Sequence, residues 1–292
     1  MEADPLQRFE ANRARLFGLA YRMLGEAGEA EDVVQDAYLR WTNSEAVAAP
    51  EAWLTRVVSN LCLNRLASAR SRRERYVGSW LPEPVLTDTG VLGPLETVEQ
   101  RDSVSVGMLV LLERLTPPER AVFVLREAFG YSHHEVAEIL QIEVTHSRQL
   151  YRRARAHVGE PRKRFDADGE QRQELVEKFF AATIEGDIGG LERMLAEDVV
   201  AWADGGGEVP ATRRPIHGRA NVLRYLLVLR RRPEASRARA TVAEVNGQPA
   251  IVLRDGGTVS AVMVPEVTDG RIVAVRTVVS ARKLAFAAAQ LM

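Results

Sequence analysis

The chain has 292 residues, 46% of them hydrophobic, so it is long enough for two or three domains with real cores. Its formal net charge of −1 at pH 7 argues, taken alone, against a nucleic-acid-binding protein. The average conceals segregation, because acids dominate residues 26–36 and arginines dominate residues 56–75 and 148–164. A polyanion such as DNA interacts mainly with charges within a Debye length, so these local blocks matter more for binding than the net charge of the chain. Most of the bases are arginines, which suit phosphates and guanine edges, although a GC-rich genome would produce the same bias.

Cysteine and histidine usage argues against a metal site. Cys62 is the single cysteine, which excludes a disulfide framework and a cysteine cluster for zinc. His133, His134, His146 and His157 have no acidic or cysteine companions at ligand spacing, so we expect neither metal nor cofactor. The N-terminus is charged and no stretch reaches membrane-spanning length, so we expect a cytoplasmic protein without membrane contact.

Apolar periodicity predicts three helices at the start of the chain, over residues 6–24, 30–41 and 50–76. On the second helix, Asp32, Gln35 and Asp36 share an exposed face. A favourable interaction with the helix dipole accounts for acids in the first turn, but it does not account for Gln35 and Asp36 further along. The third helix ends in more arginines than a dipole needs, which favours a track for phosphates formed by Arg65, Arg70, Arg72, Arg73 and Arg75.

Residues 78–93 interrupt the helical pattern with glycines and prolines, which is typical of a linker. Trp80 and Leu81 are unusual there, because a free linker has no need of a large aromatic side chain. One interpretation is a tryptophan that folds back on its own domain. The interpretation we favour is a docking peptide, held by another domain, that consists of Trp80, Leu81, Pro82, Glu83 and Pro84.

A helix is predicted over residues 95–115, and Thr116 with Glu119 then forms a capping box that begins the next one. Ser132 and Glu135 form a second capping box. A helix follows it, then a turn at 141–144 and a helix over 145–158. This pattern is typical of a helix-turn-helix that places its second helix in the major groove. The alternative is an αα-hairpin whose arginines only make it soluble. The residues expected to face DNA are Arg148, Gln149, Arg152 and Arg153.

The remaining residues predict an α+β domain. Helices are expected over 171–186, 187–196 and 218–229, with strands over 198–203, 238–245, 250–254, 258–264 and 272–279. Helices followed by hairpins predict a curved antiparallel sheet, a cone with an interior cavity. Trp202, Asp204, His217 and Tyr225 could line that cavity. Equally, Asp204 could be a turn former and His217 could cap a helix.

The motifs YRMLG, AEDVVQDAYLRW, PEAWLTRVVSNLCLNRLASARSRR and LTPPERAVFVLREAFGYSHHEVAEIL resemble a bacterial RNA polymerase sigma factor of the extracytoplasmic-function (ECF) type. The resemblance implies two all-α sigma domains, the second a helix-turn-helix, with core RNA polymerase (β′ and β subunits) and promoter DNA as partners. Asp32, Gln35 and Asp36 would dock on the β′ clamp helices, and the second domain would read the −35 element. The residues implied at the −10 element are Trp53, Arg56, Asn60, Asn64, Arg70, Arg72 and Arg73, although the family often has an acid at the position of Asn64.

The segments GDIGGLERMLAEDVVAWADGGG and PIHGRANVLRYL resemble the SnoaL-like domain, a cystatin/NTF-like cone related to small polyketide cyclases and ketosteroid isomerase. The resemblance implies the fold, and a fold does not confer an activity. We therefore expect no catalysis. A small ligand in the cavity, near Trp202, His217 and Tyr225, remains an open alternative.

The WLPEP linker together with the loop Asp204, Gly205, Gly206 and Gly207 resembles the SigJ-like group of these sigma factors. In that group a lysine usually follows the DGGG loop and an NPDKL motif lies near the C-terminus. Here Glu208 takes the place of the lysine, and residues 280–284 are only a remnant of the second motif. The resemblance implies that the appended domain touches the linker and adjusts the sigma factor from within.

These observations predict five parts. They are a region 2 domain (1–77), a linker (78–103), a region 4 helix-turn-helix domain (104–160), a hinge (161–170) and a SnoaL-like regulatory domain (171–292). The predicted function is that of an ECF-type sigma factor modulated in cis. The alternative is a DNA-binding regulator fused to a ligand-sensing or catalytic SnoaL-like domain. The acidic face at Asp32–Asp36 argues against that alternative, because a plain repressor has no need of it.

Overall fold

The computed structural model describes residues 5–44, 47–74, 76, 78–88, 90–93, 95, 98–159, 169–209, 211–231 and 238–292. The chain forms two compact units. Unit 1 comprises Met1–Glu74 and Thr89–Pro161, and unit 2 comprises Arg75–Asp88 and Arg162–Met292. The beginning of the predicted linker therefore belongs with the C-terminal domain.

Unit 1 begins with three helices, α1 (Pro5–Leu24), α2 (Ala27–Thr42) and α3 (Pro50–Glu74), which confirm the three predicted from periodicity. Pro50 occupies the start of α3, where its missing N–H has no helical partner to lose. The three helices pack on one another through apolar side chains that recur every three or four residues. The buried members include Leu16, Ala20, Met23, Val33, Val34, Ala37, Leu54, Val58 and Leu61.

The single helix predicted over 95–115 is wrong, because the structure divides it into α4 (Val98–Val104) and α5 (Val106–Leu112). Ser105 lies at the break and is fully buried. Its hydroxyl donates to the Asp102 carbonyl at 2.8 Å and accepts from the Met108 amide at 3.2 Å. A serine that satisfies the backbone in this way ends one helix and caps the next.

The helix-turn-helix consists of α7 (His133–Leu140) and α8 (Val144–Val158), preceded by α6 (Pro117–Glu127). The capping box at Ser132 and Glu135 begins α7, as predicted. Gln141 ends it in the left-handed region with φ of 55°, which makes the turn tight. The apolar face of α8 packs on α6 and α7 through Leu150, Ala154 and Val158.

Glu119 stabilises the start of α6, because its carboxylate accepts from the Thr116 amide at 3.0 Å and from the Thr116 hydroxyl at 2.8 Å. Burial alone would raise the pKa of Glu119, but these bonds, with His157 and Arg153, lower it overall. A depressed folded-state pKa gives stability that is present above the unfolded value and is lost as pH falls. We expect Glu119→Gln to lower the free energy of unfolding by about 1 kcal/mol at pH 7.

The difference between this variant and the parent chain should shrink as pH falls below about 4.5, where the unfolded carboxyl gains its proton. Chemical unfolding followed by circular dichroism at pH 7 and pH 4 measures both values. Glu138→Gln is the matched control, since the Glu138 side chain is exposed and makes an i,i+4 pair with His134. A loss equal at both pH values would contradict the role given to the Glu119 carboxylate.

Unit 2 contains α9 (Gly169–Glu185), α10 (Ile188–Met194), β1 (Leu195–Asp204), β2 (Ile216–His217), α11 (Arg219–Arg230), β3 (Arg239–Val245), β4 (Gln248–Asp255), β5 (Thr258–Thr268), β6 (Arg271–Val278) and α12 (Ala281–Gln290). The strand order is β2-β1-β6-β5-β4-β3. The glycine turns between β3, β4, β5 and β6 make antiparallel hairpins, as predicted. The prediction of an antiparallel sheet is wrong for one pair, because β1 lies parallel to β6.

The apolar core of unit 2 joins the sheet to α9, α10 and α11. It is filled by side chains that include Val176, Phe179, Leu191, Leu195, Val222, Leu226, Ile251, Met263 and Val275. Helix α12 was not predicted, and it packs on β5 through Leu284 and Ala287. No helix in the described part of the chain is long and apolar enough to cross a membrane.

Candidate functional site

The predicted DNA-facing residues of α8 lie together on one exposed side of the helix. Arg148, Gln149, Arg152 and Arg153 are all exposed, whereas Ser147 on the opposite side is fully buried. The helix periodicity separates the two faces, so the packing of α8 on its neighbours leaves the arginines accessible. An exposed arginine face on the second helix of a helix-turn-helix can contact phosphates and base edges.

A histidine joins the two helices of the motif. His133 at the start of α7 lies with its Nδ1 3.0 Å from the Ser147 hydroxyl on α8. Its ring meets the Tyr151 ring edge to face at 5.4 Å. Burial lowers the pKa of His133, and Arg126 and Arg148 lower it further, so the ring is uncharged at neutral pH. This contact joins the start of α7 to the side of α8 that faces its neighbours, opposite the exposed arginines.

The acidic face of α2 is organised by an arginine from α3. Arg65 makes ion pairs with Glu29 at 2.6 Å and Asp36 at 3.0 Å, and it lies 3.5 Å from Asp32. Partial burial lowers the pKa of Arg65, but the bonds to Glu29 and Asp36 outweigh it and raise the pKa overall. Asp32 and Gln35 stay exposed. The face therefore remains acidic, while Arg65 holds two of its carboxylates in place.

Helix α3 presents the side chains predicted for the −10 element. Arg56 and Asn64 are exposed, and Trp53 and Asn60 are half-buried. The Trp53 ring meets the Trp41 ring of α2 at a centroid distance of 5.8 Å. An aromatic pair beside exposed polar groups is a surface on which an unstacked base can rest. The side chains of the predicted Arg70, Arg72 and Arg73 lie outside the described residues.

The linker is bound to unit 2 by a cluster we call the linker clasp, formed by Tyr76, Leu81, Asp204 and Lys283. The Leu81 amide donates to Asp204 Oδ2 at 2.7 Å, and the Lys283 ammonium donates to the same oxygen at 2.7 Å. Tyr76 Oη donates to Asp204 Oδ1 at 2.5 Å. Asp204 and Lys283 are each 1% exposed. One buried carboxylate thus joins the linker backbone to the C-terminal helix.

Lys283 completes the clasp from the other side. Its Nζ donates to the Leu81 carbonyl and lies 4.7 Å from the Tyr76 ring centroid and 4.6 Å from that of Trp80. A buried ammonium is stable only when it is paired and hydrogen-bonded, and aromatic faces add to its stabilisation. The Lys283 ammonium is paired with the Asp204 carboxylate, hydrogen-bonded to the Leu81 carbonyl and packed against the Tyr76 and Trp80 rings. Leu81 and Trp80 belong to the linker, so the ammonium has all of these partners only when the linker is docked.

The linker continues along the edge of the sheet. Val85 and Asn246 exchange hydrogen bonds of 2.9 and 3.1 Å, and Leu86 exchanges bonds of 2.9 and 3.0 Å with the Gln290 side chain. The Thr87 amide donates to the Glu244 carbonyl at 3.0 Å. Leu81, Val85 and Leu86 are buried. Most of the polar groups here are backbone groups, so the docking depends on an extended chain as much as on particular side chains.

The glycines of the DGGG loop allow the close approach that the clasp requires. Gly206 has φ of +68°, and a Cβ there would lie 2.6 Å from the Ser280 hydroxyl. A Cβ on Gly205 would lie 2.2 Å from the Val209 carbonyl oxygen. The Gly206 amide also donates to Asp204 Oδ1 at 2.9 Å, which orients the carboxylate. Side chains at either position would displace the loop.

The structure does not gather Trp202, His217 and Tyr225 around one cavity. Tyr225 packs against the apolar core, and His217 is exposed on β2. Trp202 points to the other face of the sheet from Ala201, where Arg276 lies over its ring at 4.7 Å. A cavity of about 350 Å³ lies elsewhere, lined by Gly78 and by loop residues that include Gly205, Gly207, Glu208, Thr212 and Arg213.

Sequence reasoning identified Asp204 and the linker peptide but missed their partners. Lys283 was noted only within the remnant of the second motif and Asn246 only as part of a hairpin turn, and neither Tyr76 nor Gln290 was predicted to contact the linker. Glu208, at the usual lysine position, is exposed, and Lys283 supplies the ion pair to Asp204. The signal that could have found Lys283 is its isolation, because it is the one lysine in the apolar helix that ends the chain.

Two family models match this chain. The model "Sigma-70 region 2" covers residues 8–72, and the model "Sigma-70, region 4" covers residues 107–158. The first range holds the acidic face of α2 and most of α3, and the second holds α6 and the helix-turn-helix. Both predicted sigma domains are thereby confirmed, in the predicted order.

Similar proteins agree with the family models. A curated relative, the ECF RNA polymerase sigma factor SigJ of Mycobacterium tuberculosis, is 40% identical over 77% of this chain and 72% of its own length. The probable ECF sigma factor SigI of the same species is 30% identical over 94% of this chain and 93% of its own length. The crystal structure of M. tuberculosis SigJ superposes with a TM-score of 0.77 at 33% identity, covering 96% of this chain and 98% of that one. The chain therefore belongs to the extracytoplasmic-function family of RNA polymerase sigma factors, in a SigJ-like form with a C-terminal NTF2/SnoaL-like domain.

Proposed function

We propose that this chain directs core RNA polymerase to specific promoters and that its C-terminal domain controls it by holding the linker. The linker clasp carries the second part of the proposal. The first part is supported by two exposed surfaces in unit 1, the acidic face of α2 and the arginine face of α8. Acting where polymerase and chromosome meet, the protein would be cytoplasmic.

The residue roles follow from charge and position. Asp32, Gln35 and Asp36 would contact a basic surface of the polymerase β′ subunit. Complementary charge speeds the association of two proteins and fixes how they are oriented. Arg148, Gln149, Arg152 and Arg153 would read the −35 element in the major groove. Trp53, Arg56, Asn60 and Asn64 would contact the opened −10 strand, with the Trp41–Trp53 pair as a stacking surface.

The docked linker limits how far the two DNA-reading regions can separate. Sites near −10 and −35 are about 25 base pairs apart, which is roughly 85 Å of duplex. Residues 78–88, when extended freely, could span about 35–40 Å. In the docked state these residues are bound along the sheet edge and in the clasp, so they cannot extend between the two DNA-reading regions. Docking therefore favours compact arrangements, and we propose that the docked state is the less active one.

The C-terminal domain is proposed to act as a clamp and not as a catalyst. In enzymes of related fold a cavity carboxylate moves a proton. Here the Asp204 carboxylate is already bound by Tyr76, Leu81 and Lys283. Both oxygens of this carboxylate are engaged by the linker, Lys283 and the Gly206 amide, and the residue is 1% exposed, so it is not presented to a substrate.

Promoter-specific transcription with purified core polymerase tests the proposal. We expect the full-length chain to start transcription from its own promoter. Arg152→Ala should lower affinity for the −35 element by about 1–3 kcal/mol and relax its sequence preference, if Arg152 binds guanine through both of its terminal nitrogens. Binding assays with promoter variants measure both effects.

Arg224→Ala is the matched control, because Arg224 is an exposed helical arginine of the C-terminal domain. It should leave −35 preference unchanged. No initiation from the full-length chain or from any truncation that ends between Glu160 and the C-terminus would defeat the proposal. An unchanged −35 preference in Arg152→Ala would remove Arg152 from the reading face while leaving the sigma function intact.

A further inference from the structure

The cavity of about 350 Å³ lies beside the linker clasp, at the carboxyl end of β1. It is lined by Gly78, Ala203, Gly205, Gly207, Glu208, Val209, Ala211, Thr212 and Arg213, all of which belong to unit 2. It is separate from the interior of the cone, which apolar side chains fill. Sites for small molecules commonly have volumes of about 300–1,000 Å³. The cavity is therefore large enough for a small organic molecule.

Backbone contacts hold the cavity in shape. The Glu208 and Val209 amides both donate to the Gly205 carbonyl, at 3.1 and 3.0 Å. A Cβ on Gly205 would lie 3.0 Å from the Ala211 Cβ, so the loop closes tightly on itself. A site that is already ordered in this way loses little conformational entropy when a ligand binds.

The linker contributes to the cavity. Gly78 lines it, and a Cβ on Gly78 would lie 3.8 Å from the Arg213 Cα. The clasp adjoins the same cavity, because Asp204 directly precedes Gly205 and accepts a hydrogen bond from the Gly206 amide. The set of lining residues is therefore complete only while the linker is docked.

One cation and one anion line the cavity. The Arg213 and Glu208 side chains are exposed, and neither makes an ion pair with another residue in the described part of the chain. A ligand that carries only a carboxylate would be attracted by Arg213 and repelled by Glu208, and the opposite would hold for a simple amine. A zwitterion is attracted by both.

Apolar groups form another part of the lining. Val209 is 37% exposed, which is unusual for a large apolar side chain of this protein, and Ala203 and Ala211 also line the cavity. An apolar group of a ligand that covered these side chains would be removed from water, which favours binding. The lining thus combines two opposite charges with an apolar surface.

We propose that the cavity binds a small amphipathic zwitterion, of the chemical class of an α-amino acid with an apolar side chain, and that this ligand holds the linker in its docked position. Arg213 binds the carboxylate, Glu208 binds the ammonium and Val209 packs on the apolar group. A ligand that binds only the docked state stabilises that state by mass action. The effect on transcription rests on the proposed function, whereas binding and docking do not.

Calorimetric titration of the full-length chain with L-phenylalanine, L-leucine and L-methionine tests the binding. We expect at least one of them to bind. Its N-acetyl derivative lacks the ammonium and its amide lacks the carboxylate, so each should bind about 10- to 100-fold more weakly, as for one lost charge-assisted hydrogen bond. Absence of binding by all three amino acids at about 10 mM would overturn the proposal, since so weak a site adds little to docking.

Two substitutions assign the charges. Arg213→Gln should weaken binding of the amino acid by a similar factor but leave binding of its amide unchanged, because the amide has no carboxylate for Arg213 to bind. Glu208→Gln should show the same relation with the N-acetyl derivative. Arg214→Gln is the matched control, because Arg214 is exposed and follows Arg213 without lining the cavity. An equal loss in Arg214→Gln, or no loss in Arg213→Gln and Glu208→Gln, would overturn the proposed site.

Amide hydrogen exchange in the linker measures the coupling to docking. At about ten times the Kd of the ligand, amides of residues 78–88 should exchange about tenfold more slowly, because the ligand must leave before the linker can undock. Unchanged exchange with the ligand bound would overturn the part given to the linker. Initiation should fall at the same ligand concentration. Slower exchange with unchanged initiation would contradict the proposed control of transcription and would support the ligand site.

Discussion

Replacing Lys283 with methionine should release the linker from the C-terminal domain. Methionine preserves much of the side-chain volume but leaves the Asp204 carboxylate buried without its cation. Breaking a buried ion pair by removing one partner typically costs about 3–5 kcal/mol. The linker residues make several of the hydrogen bonds in the clasp. If the linker detaches from the C-terminal domain, water can hydrate the Asp204 carboxylate, and this costs less free energy than keeping that carboxylate buried without its cation. We expect Tyr76 and residues 78–88 to lose protection against proteolysis and amide hydrogen exchange.

A second lysine supplies the matched control. Lys178 pairs with Glu174 at 2.7 Å on the surface of α9, where both side chains are about two-thirds exposed. Exposed i,i+4 pairs contribute about 0.3–0.5 kcal/mol, so Lys178→Met should change neither stability nor linker protection measurably. Equal protection of the linker in Lys283→Met and in the parent chain would show that backbone pairing alone holds it.

A double-mutant cycle separates the charge pair from the rest of the clasp. Asp204→Asn alone leaves Lys283 as a buried cation, and Lys283→Met alone leaves a buried anion. The two changes together remove both charges, which is often nearly neutral for a buried pair. We therefore expect the double variant to be more stable than either single variant, with a coupling of about 1–3 kcal/mol. Additive losses would contradict a direct pairing.

Transcription should report the same release. A docked linker cannot extend between the regions that bind the −35 and −10 elements. Lys283→Met should therefore increase initiation from a promoter with normal spacing. A loss of initiation in Lys283→Met, with folding intact, would mean that docking activates the sigma factor.

The parts of the fold that depend on local pattern could be predicted from the sequence. Capping boxes at Thr116 and Ser132, and the periodicity of α8, identified the helix-turn-helix and its exposed arginines. The glycine turns identified the hairpins of β3 to β6. The break at Ser105 was missed, because a serine caps a helix only when it is placed next to a particular carbonyl and amide.

The parts that depend on distant pairing could not be predicted. Asp204 and Lys283 are 79 residues apart, and Leu81 is 123 residues from Asp204. No periodicity connects such positions, and the usual lysine after the DGGG loop is absent here. Arg65 was assigned to a phosphate track, although in the structure it organises the acidic face of α2. An arginine-rich run does not reveal which of its members already has a carboxylate partner.

Reversing one charge on the acidic face should weaken binding to core polymerase without unfolding unit 1. Asp32 is suited to the change, because its side chain is 65% exposed and lies 3.5 Å from Arg65, beyond good hydrogen-bonding distance. In Asp32→Lys, Arg65 keeps Glu29 and Asp36 as partners. The lysine forfeits the weak attraction to Arg65, and exposed ion pairs of this kind contribute at most about 1 kcal/mol. Thermal unfolding should therefore shift little.

The effect on binding should be much larger. A lysine that faces a basic surface of the polymerase replaces attraction with repulsion, and like charges brought together at an interface cost several kcal/mol. We expect affinity for core polymerase to fall at least about tenfold, through slower association and with a weaker dependence on salt. Titration of labelled protein with core polymerase at two salt concentrations measures both.

Asp198→Lys provides the comparison, since Asp198 is exposed on β1 of the other unit and the net charge changes equally. If both variants lost affinity alike, total charge would explain the result and the acidic face would not be the docking surface. A loss of polymerase affinity in Asp32→Lys but not in Asp198→Lys, with Lys283→Met still releasing the linker in the Asp32→Lys chain, would separate polymerase binding from linker control. Polymerase binding would then depend on the exposed acidic face of α2, which Arg65 leaves accessible. Linker control would depend on the buried linker clasp, which water reaches only when the linker is undocked.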